Sequence, residues 1–244
     1  MDVQGKIIII TGASSGIGLT TARLLAKQGA KLVLAARSKK KLEKLSKELP
    51  NSISIPTDMT KITDIKKMVK KTVQHFGRID ILINSAGRGY DAPAEKTDIK
   101  LFHYIFDLDV MGPLVAMQQV IPFMRKQGGG VIINISSGTA LMHLPNMGVY
   151  SAMKRANADI SLTTREELKE DNIIVSVLYP YITLTNFEKN TIKHIPEIDN
   201  KQEDAQRPPA DTAEYVARKI LEGIKSGDAE IYAHDWMKKS FDSR

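Results

Sequence analysis

The sequence predicts an α/β protein, a doubly wound parallel sheet in a single domain spanning residues 1–244, with helices on both faces. Two observations carry that class. Short apolar runs alternate with amphipathic helical runs, without repeats or low-complexity linkers, and such alternation builds a parallel sheet covered on both sides. The first run, Lys6-Ile-Ile-Ile-Ile10, is unbroken and β-branched, as expected of a strand buried on both faces.

In chain order, strands are expected at 6–11, 31–36, 52–56, 80–83, 130–136, 173–179 and 229–232, and helices at 17–28, 39–48, 61–76, 98–126, 149–170 and 211–226. The first strand runs into Thr11-Gly12-Ala-Ser-Ser-Gly16-Ile-Gly18, followed by a helical pattern through Leu19, Ala22, Leu25 and Ala26. Glycines at a strand-to-helix turn let the backbone approach a pyrophosphate, and the helix N-terminus offers N–H groups and a positive dipole end. The spacing is Gly-x-x-x-Gly-x-Gly rather than Gly-x-Gly-x-x-Gly. Pro180–Pro209 breaks the rhythm with Pro196, Pro208 and Pro209 and an apolar set at Phe187, Ile192, Ile195 and Ile198. This stretch, near 181–209, reads as a mobile flap over a site rather than a second domain.

Composition narrows the classes. There is no cysteine, which removes disulfides and thiolate metal sites. Paired carboxylates and histidine clusters at metal spacing are also missing, so no metal is expected. Met1–Lys6 holds no apolar signal region and no apolar run approaches membrane-spanning length; a soluble, cytoplasmic protein follows. Much of the net charge of +7 lies in Lys39–Lys41, Lys44, Lys47, Lys66, Lys67, Lys70 and Lys71, on the polar faces of two helices. Without interleaved aromatics these are solvated faces, not a nucleic-acid groove.

The most informative segment is Tyr150-Ser-Ala-Met-Lys154. In a helix this spacing puts phenol and ammonium on one face. A nearby cation favours the phenolate, and a tyrosine tuned this way can pass a proton to or from a carbonyl or alcohol oxygen.

Taken together, Thr11-Gly12-x-x-x-Gly16-x-Gly18, Asp58, Asn84-Ser85-Ala86-Gly87, Ser137, Tyr150-x-x-x-Lys154 and Pro180-x-x-x-x-Thr185 resemble the short-chain dehydrogenases/reductases of compact single-domain type. The resemblance runs from about Gly5 to Thr185 and implies a Rossmann-like fold and a nicotinamide cofactor. It implies Tyr150 as general acid in reduction and Lys154 as the residue that stabilises its phenolate and bonds the nicotinamide ribose. Ser137 would bond the substrate oxygen as charge develops on it; Ser136 competes for that role, but the thirteen-residue offset to Tyr150 favours Ser137.

For the cofactor, the resemblance implies the turn residues Gly12, Ser14, Ser15, Gly16, Ile17 and Gly18, with Asp58 and Met59 on the adenine side. Asn84, Ala86 and Gly87 would line the adenosine ribose side, and Thr183 and Thr185 would clasp the carboxamide. Asp58 could equally cap the following helix, and Ser85 stands where the family more often has a second Asn. At the end of the second strand Ala36 takes the expected acidic position and Arg37 follows; an arginine suits a 2′-phosphate. NADP(H) is therefore expected over NAD(H), the alternative being a surface arginine that opens a basic helix.

Two departures stand out. Asp109-Val-Met-Gly112 replaces a family Asn-x-x-Gly; Asp109 is either a modified member of the proton relay or an inert buried acid. Tyr181 follows Pro180 where glycine is usual, and its phenol either crowds the nicotinamide pocket or shapes the substrate site. Leu141, Met142, His143, Leu144, Met147, Phe187 and Ile192 offer an apolar pocket for a ketone or aldehyde, with His143 as a wall residue. The expected function is an NADP(H)-dependent carbonyl reductase or alcohol dehydrogenase on a small molecule with an apolar part, in a homodimer or homotetramer. The alternative is a nucleotide-binding regulatory or scaffold protein of the same fold.

Overall fold

The computed structural model describes residues 1–193 and 208–238. Its centre is a seven-stranded parallel sheet of β1 (Ile7–Thr11), β2 (Lys31–Ala36), β3 (Ser52–Pro56), β4 (Ile81–Asn84), β5 (Gly130–Ile135), β6 (Ile173–Tyr179) and β7 (Glu230–Tyr232). Their spatial order is β3-β2-β1-β4-β5-β6-β7. The order reverses between β1 and β4, which pair in register from Ile8 with Ile81 to Ile10 with Ile83. In an open sheet of this type, ligands bind outside the carboxyl ends of the strands at that reversal.

Strand alternation sorts the core into two layers. Ile8, Ile10, Leu32, Leu34, Ile81, Ile83, Val131 and Ile133 face one side and pack with Ala22 and Leu25 of α1 (Gly16–Lys27), Leu42 and Leu45 of α2 (Lys39–Glu48), and a third helix near the C-terminus. Ile9, Val33, Ala35, Leu82 and Ile132 face the other side. There they meet Ile65, Met68 and Val69 of α3 (Ile62–Phe76) and an apolar stripe on the helix running to Lys126.

The expected helix at 98–126 is the one element with an unanticipated break. It divides into α4 (Ile99–Phe106), a π-helical turn at Asp107–Met111, and α5 (Gly112–Lys126). Asp98 caps α4 by accepting from the backbone N–H groups of Lys100 and Leu101. The π turn widens the helix by one residue and frees a carbonyl from the helical ladder, and this bears on the site below. The helix α6 (Gly148–Glu167) ends in a 3₁₀ turn at Lys169–Asp171.

The described part of the 181–209 segment is tied down on both sides. Thr183–Leu184 pairs in parallel with Asp211–Thr212, ahead of the C-terminal helix. Past the single-turn helix α7 (Phe187–Asn190), Ile192–Lys193 pairs with Tyr90–Asp91. Of the expected flap residues, Ile195, Pro196 and Ile198 lie outside the described residues. The helix α8 (Ala213–Ser226) closes the first layer through Val216, Ile220 and Ile224.

Candidate active site

The turn after β1 is built for close approach. Gly12 has φ +71 and a Cβ there would stand 2.9 Å from Ser85 O and Ala86 N; a Cβ on Gly18 would stand 2.6 Å from Gly12 O. Thr11 Oγ1 accepts from the N–H groups of Ser85 and Ala86 at 3.0 and 3.1 Å, locking the turns after β1 and β4 together. Gly16, with φ +53, faces Thr185 across the opening, where a Cβ would come within 3.4 Å of its side chain. No side chain caps the start of α1, which leaves its first N–H groups without a side-chain acceptor beside Gly16. This arrangement fits a pyrophosphate. Ser14, Ser15 and Ile17 lie on the same half-buried turn.

The two serines after β5 have different surroundings. Ser136 is buried, and its Oγ donates to the Lys154 carbonyl at 2.9 Å, which ties strand to helix. Ser137 Oγ accepts from Thr139 N–H and Thr139 Oγ1 at 3.2 and 3.0 Å. It also lies beside the phenol of Tyr150 and favours its charged form. Burial pushes the Tyr150 phenol above its usual range, the Asp109 charge adds to this, and Ser137 opposes it. The phenol is therefore neutral at ordinary pH.

Lys154 lies one helical turn on. Its Nζ donates to Ile135 O at 3.1 Å and stands 3.4 Å from Asp109 Oδ1 and 5.8 Å from the Tyr150 ring centre. Burial raises the pKa of Asp109, an effect opposed by the Lys154 charge and by bonds from Lys154 and the Arg88 backbone. Asp109 sits in the π turn, and its freed carbonyl accepts from Asn157 Nδ2 at 3.0 Å. Gly87 is the floor of this arrangement: a Cβ there would lie 2.7 Å from Asp109 Oδ1 and 3.1 Å from Lys154 Nζ.

The remaining expected residues divide between the opening and the frame. Asn84 is buried, with its amide donating to Asn134 Oδ1 at 2.8 Å, so its side chain belongs to the interior. Asn134 Nδ2 continues that chain to Ser161 Oγ at 2.7 Å. Ala86 follows on the same loop, partly buried. Asp58 Oδ1 accepts from Thr60 N–H and Oγ1 at 3.1 and 2.8 Å. Asp58 thus shapes the turn before α3, whose N-cap is Lys61. The neighbouring Met59 is buried with its carbonyl against Gly112. Thr185 Oγ1 accepts from Phe187 N–H at 3.1 Å, and Thr183 Oγ1 donates to Tyr181 O at 2.8 Å.

Phe187 lies over the site, its ring 5.8 Å from that of Tyr150. Tyr181 turns away toward the C-terminal aromatics, meeting Trp236 edge-on at 5.3 Å and reaching Pro208 O at 3.4 Å. Arg37 is exposed at the end of β2 and donates from Nη1 to Tyr104 Oη at 3.2 Å. His143 is exposed, as are Met142 and Leu144 beside it.

Sequence reasoning missed Asn157 and Tyr104. Asn157 lies three residues past Lys154 and so shares its helix face, which is the one signal that could have found it. The partner of Tyr104 is Arg37, 67 residues earlier at the end of β2, so no local spacing marks it.

The family model for short chain dehydrogenases matches residues 6–196. This chain belongs to the short-chain dehydrogenase family. It is 37% identical over 206 residues to an uncharacterized oxidoreductase of Staphylococcus saprophyticus, covering 83% of this chain and 82% of that one. It is 35% identical over 246 residues to an Arabidopsis thaliana protein named 11-beta-hydroxysteroid dehydrogenase-like 2, covering 98% of this chain and 77% of the other. The fold of this short-chain dehydrogenase is similar to that of a family member from Burkholderia phymatum solved in complex with NAD. The TM-score is 0.89 at 24% identity, over 99% of this chain and 93% of the other. It is also similar to that of a 3-ketoacyl-(acyl-carrier-protein) reductase from Brucella melitensis complexed with NADH. There the TM-score is 0.85 at 24% identity, over 94% and 97% of the two chains.

Proposed function

We propose that this short-chain dehydrogenase interconverts a carbonyl and a secondary alcohol with NADP(H), Tyr150 serving as the acid and base. The observation that carries this reading is the convergence of Ser137, Tyr150 and Lys154 beside the glycine turn. The nicotinamide, when bound, supplies or accepts the hydride. In reduction the Oη proton of Tyr150 passes to the substrate oxygen while Ser137 Oγ steadies the charge developing there. Lys154 lies one turn away as the cation that favours the resulting phenolate. Asp109 tempers that influence as a member of the same buried group.

Gly12, Ser14, Ser15, Gly16, Ile17 and Gly18 would hold the pyrophosphate. Asp58 and Met59 would take the adenine side, Ala86 and Gly87 with the backbone of Asn84 the adenosine ribose side, and Thr183 and Thr185 the carboxamide. The NAD and NADH complexes of the two structural neighbours support a nicotinamide cofactor. Preference for the phosphorylated form rests on Arg37 with no acid at Ala36. The exposed Met142, Leu144 and Phe187 support a substrate with an apolar part, in keeping with the name of the Arabidopsis relative.

The test is titration with NADPH and NADH, followed by a panel of ketones and aldehydes monitored through cofactor absorbance, for wild type and Tyr150→Phe. NADPH preference, turnover, and near-complete loss of turnover with retained binding in the variant are the expected results; an unchanged rate sinks the acid role. The rival reading, a nucleotide-binding regulatory or scaffold protein, draws on the carboxylate of Asp109 against Lys154 and requires tight NADPH binding without turnover. A homodimer or homotetramer through α4–α5 and α6 completes the proposal, and light scattering that finds only monomer removes that part.

A further inference from the structure

We propose that Tyr104 is a specificity-determining positioning residue: its phenol holds the Arg37 guanidinium at the carboxyl end of β2, poised for a 2′-phosphate. The inference rests on the NADP(H) reading above and adds a residue to it.

Three observations support it. First, Arg37 has no ion-pair partner among the described residues, unlike Arg23 with Glu48 at 3.0 Å, or Arg78 with Asp80 and Arg125 with Asp171, both at 2.6 Å. Its hydrogen bond goes instead to a neutral oxygen, Tyr104 Oη, at 3.2 Å. A carboxylate partner would cancel the charge a phosphate needs; a phenol fixes the side chain and leaves that charge available.

Second, the phenol is a firm support. The Tyr104 ring packs partly buried against two apolar clusters, one around Met68 and Val115 and the other around Ile105 and Val110. The hydroxyl at its end is thereby set at a defined point above β2. An exposed arginine gives up several rotatable bonds on binding, and a preset one gives up fewer.

Third, the donor count works. The guanidinium has five N–H donors in a fixed fork, and Tyr104 occupies Nη1 alone. Nε and Nη2 remain as a bidentate pair for phosphate oxygens. NADH brings no phosphate to this place, so the contribution of Tyr104 is confined to NADPH.

Tyr104→Phe removes the hydroxyl and keeps the ring packing. Fluorescence titration of wild type, Tyr104→Phe and Arg37→Ala with NADPH and with NADH reads the effect without any substrate. The expected result is about fivefold weaker NADPH binding in Tyr104→Phe, with NADH changed by less than about twofold. Arg37→Ala is expected to lose at least about tenfold for NADPH. An unaltered NADPH affinity in Tyr104→Phe, or an equal loss for both cofactors, overturns the role of Tyr104 while Arg37→Ala still supports NADP(H). If Arg37→Ala itself leaves the NADPH-to-NADH ratio unchanged, the cofactor reading fails and this inference fails with it.

Discussion

The carboxylate of Asp109 faces the ammonium of Lys154 at 3.4 Å, with 0% and 6% of the two side chains exposed. Its second oxygen, Oδ2, has no hydrogen-bond partner among the described residues. Burying a charge pair this way sets Coulomb attraction against loss of hydration. For Asp109 the loss of hydration is the larger effect, so its carboxyl holds a proton more tightly than usual. Tyr150, one turn from Lys154, feels the same negative charge.

Asp109→Asn tests both consequences. The folded pKa of Asp109 is raised above its usual 3.8, so above that pH the folded protein keeps a proton the unfolded chain has lost. Stability from this group therefore falls as pH rises from 3.8 through the folded pKa. In urea titrations the variant is expected to gain stability relative to wild type as pH rises above 3.8. A difference that stays constant with pH would count against the shift.

The same variant removes a negative charge beside Tyr150, and the phenol then releases its proton at lower pH. In wild type, alcohol oxidation is expected to rise with pH into the alkaline range, because the base form of a raised phenol appears only there. In Asp109→Asn the rise moves toward neutrality. Superimposable pH–rate profiles for the two proteins would sink this coupling.

The adjacent serines differ in their bearing on activity. Ser136→Ala loses a buried bond to the α6 backbone and is expected to cost about 1 kcal/mol of stability by chemical denaturation, with little change in turnover. Ser137→Ala is expected to lower kcat by about 10²-fold, a loss far beyond the roughly 1 kcal/mol of stability that its cap on Thr139 N–H contributes. Reversal of this pattern would reassign the two residues.

Gly87→Ala places a methyl 2.7 Å from Asp109 Oδ1 and 3.1 Å from Lys154 Nζ. One of the two charged groups must move, and overpacking of this kind costs about 1–3 kcal/mol. The expected outcome is loss of most activity together with a lower melting temperature. A variant as active as wild type would show that the Lys154 position is not critical.

Sequence order was enough for the sheet and for the shared face of Tyr150 and Lys154. Strand alternation, helix periodicity and glycine turns are local properties, written in residues a few positions apart. The β2 terminus, with Ala36 followed by Arg37, was legible for the same reason. Tertiary structure decided what depends on contacts between distant segments. The π turn at Asp107–Met111 is marked in the sequence only by the Gly112-Pro113 step that follows it, and its tie to Asn157, reaching across from α6, is tertiary. The different partners of the two serines, the Lys154 carbonyl for Ser136 and Thr139 for Ser137, come from the packing of α6 and the following turn against the end of β5. Tyr104 meets Arg37 only because α4 passes beside the end of β2. Local periodicity sets which face a residue occupies, but the neighbour it finds there is set by the packing of the whole chain.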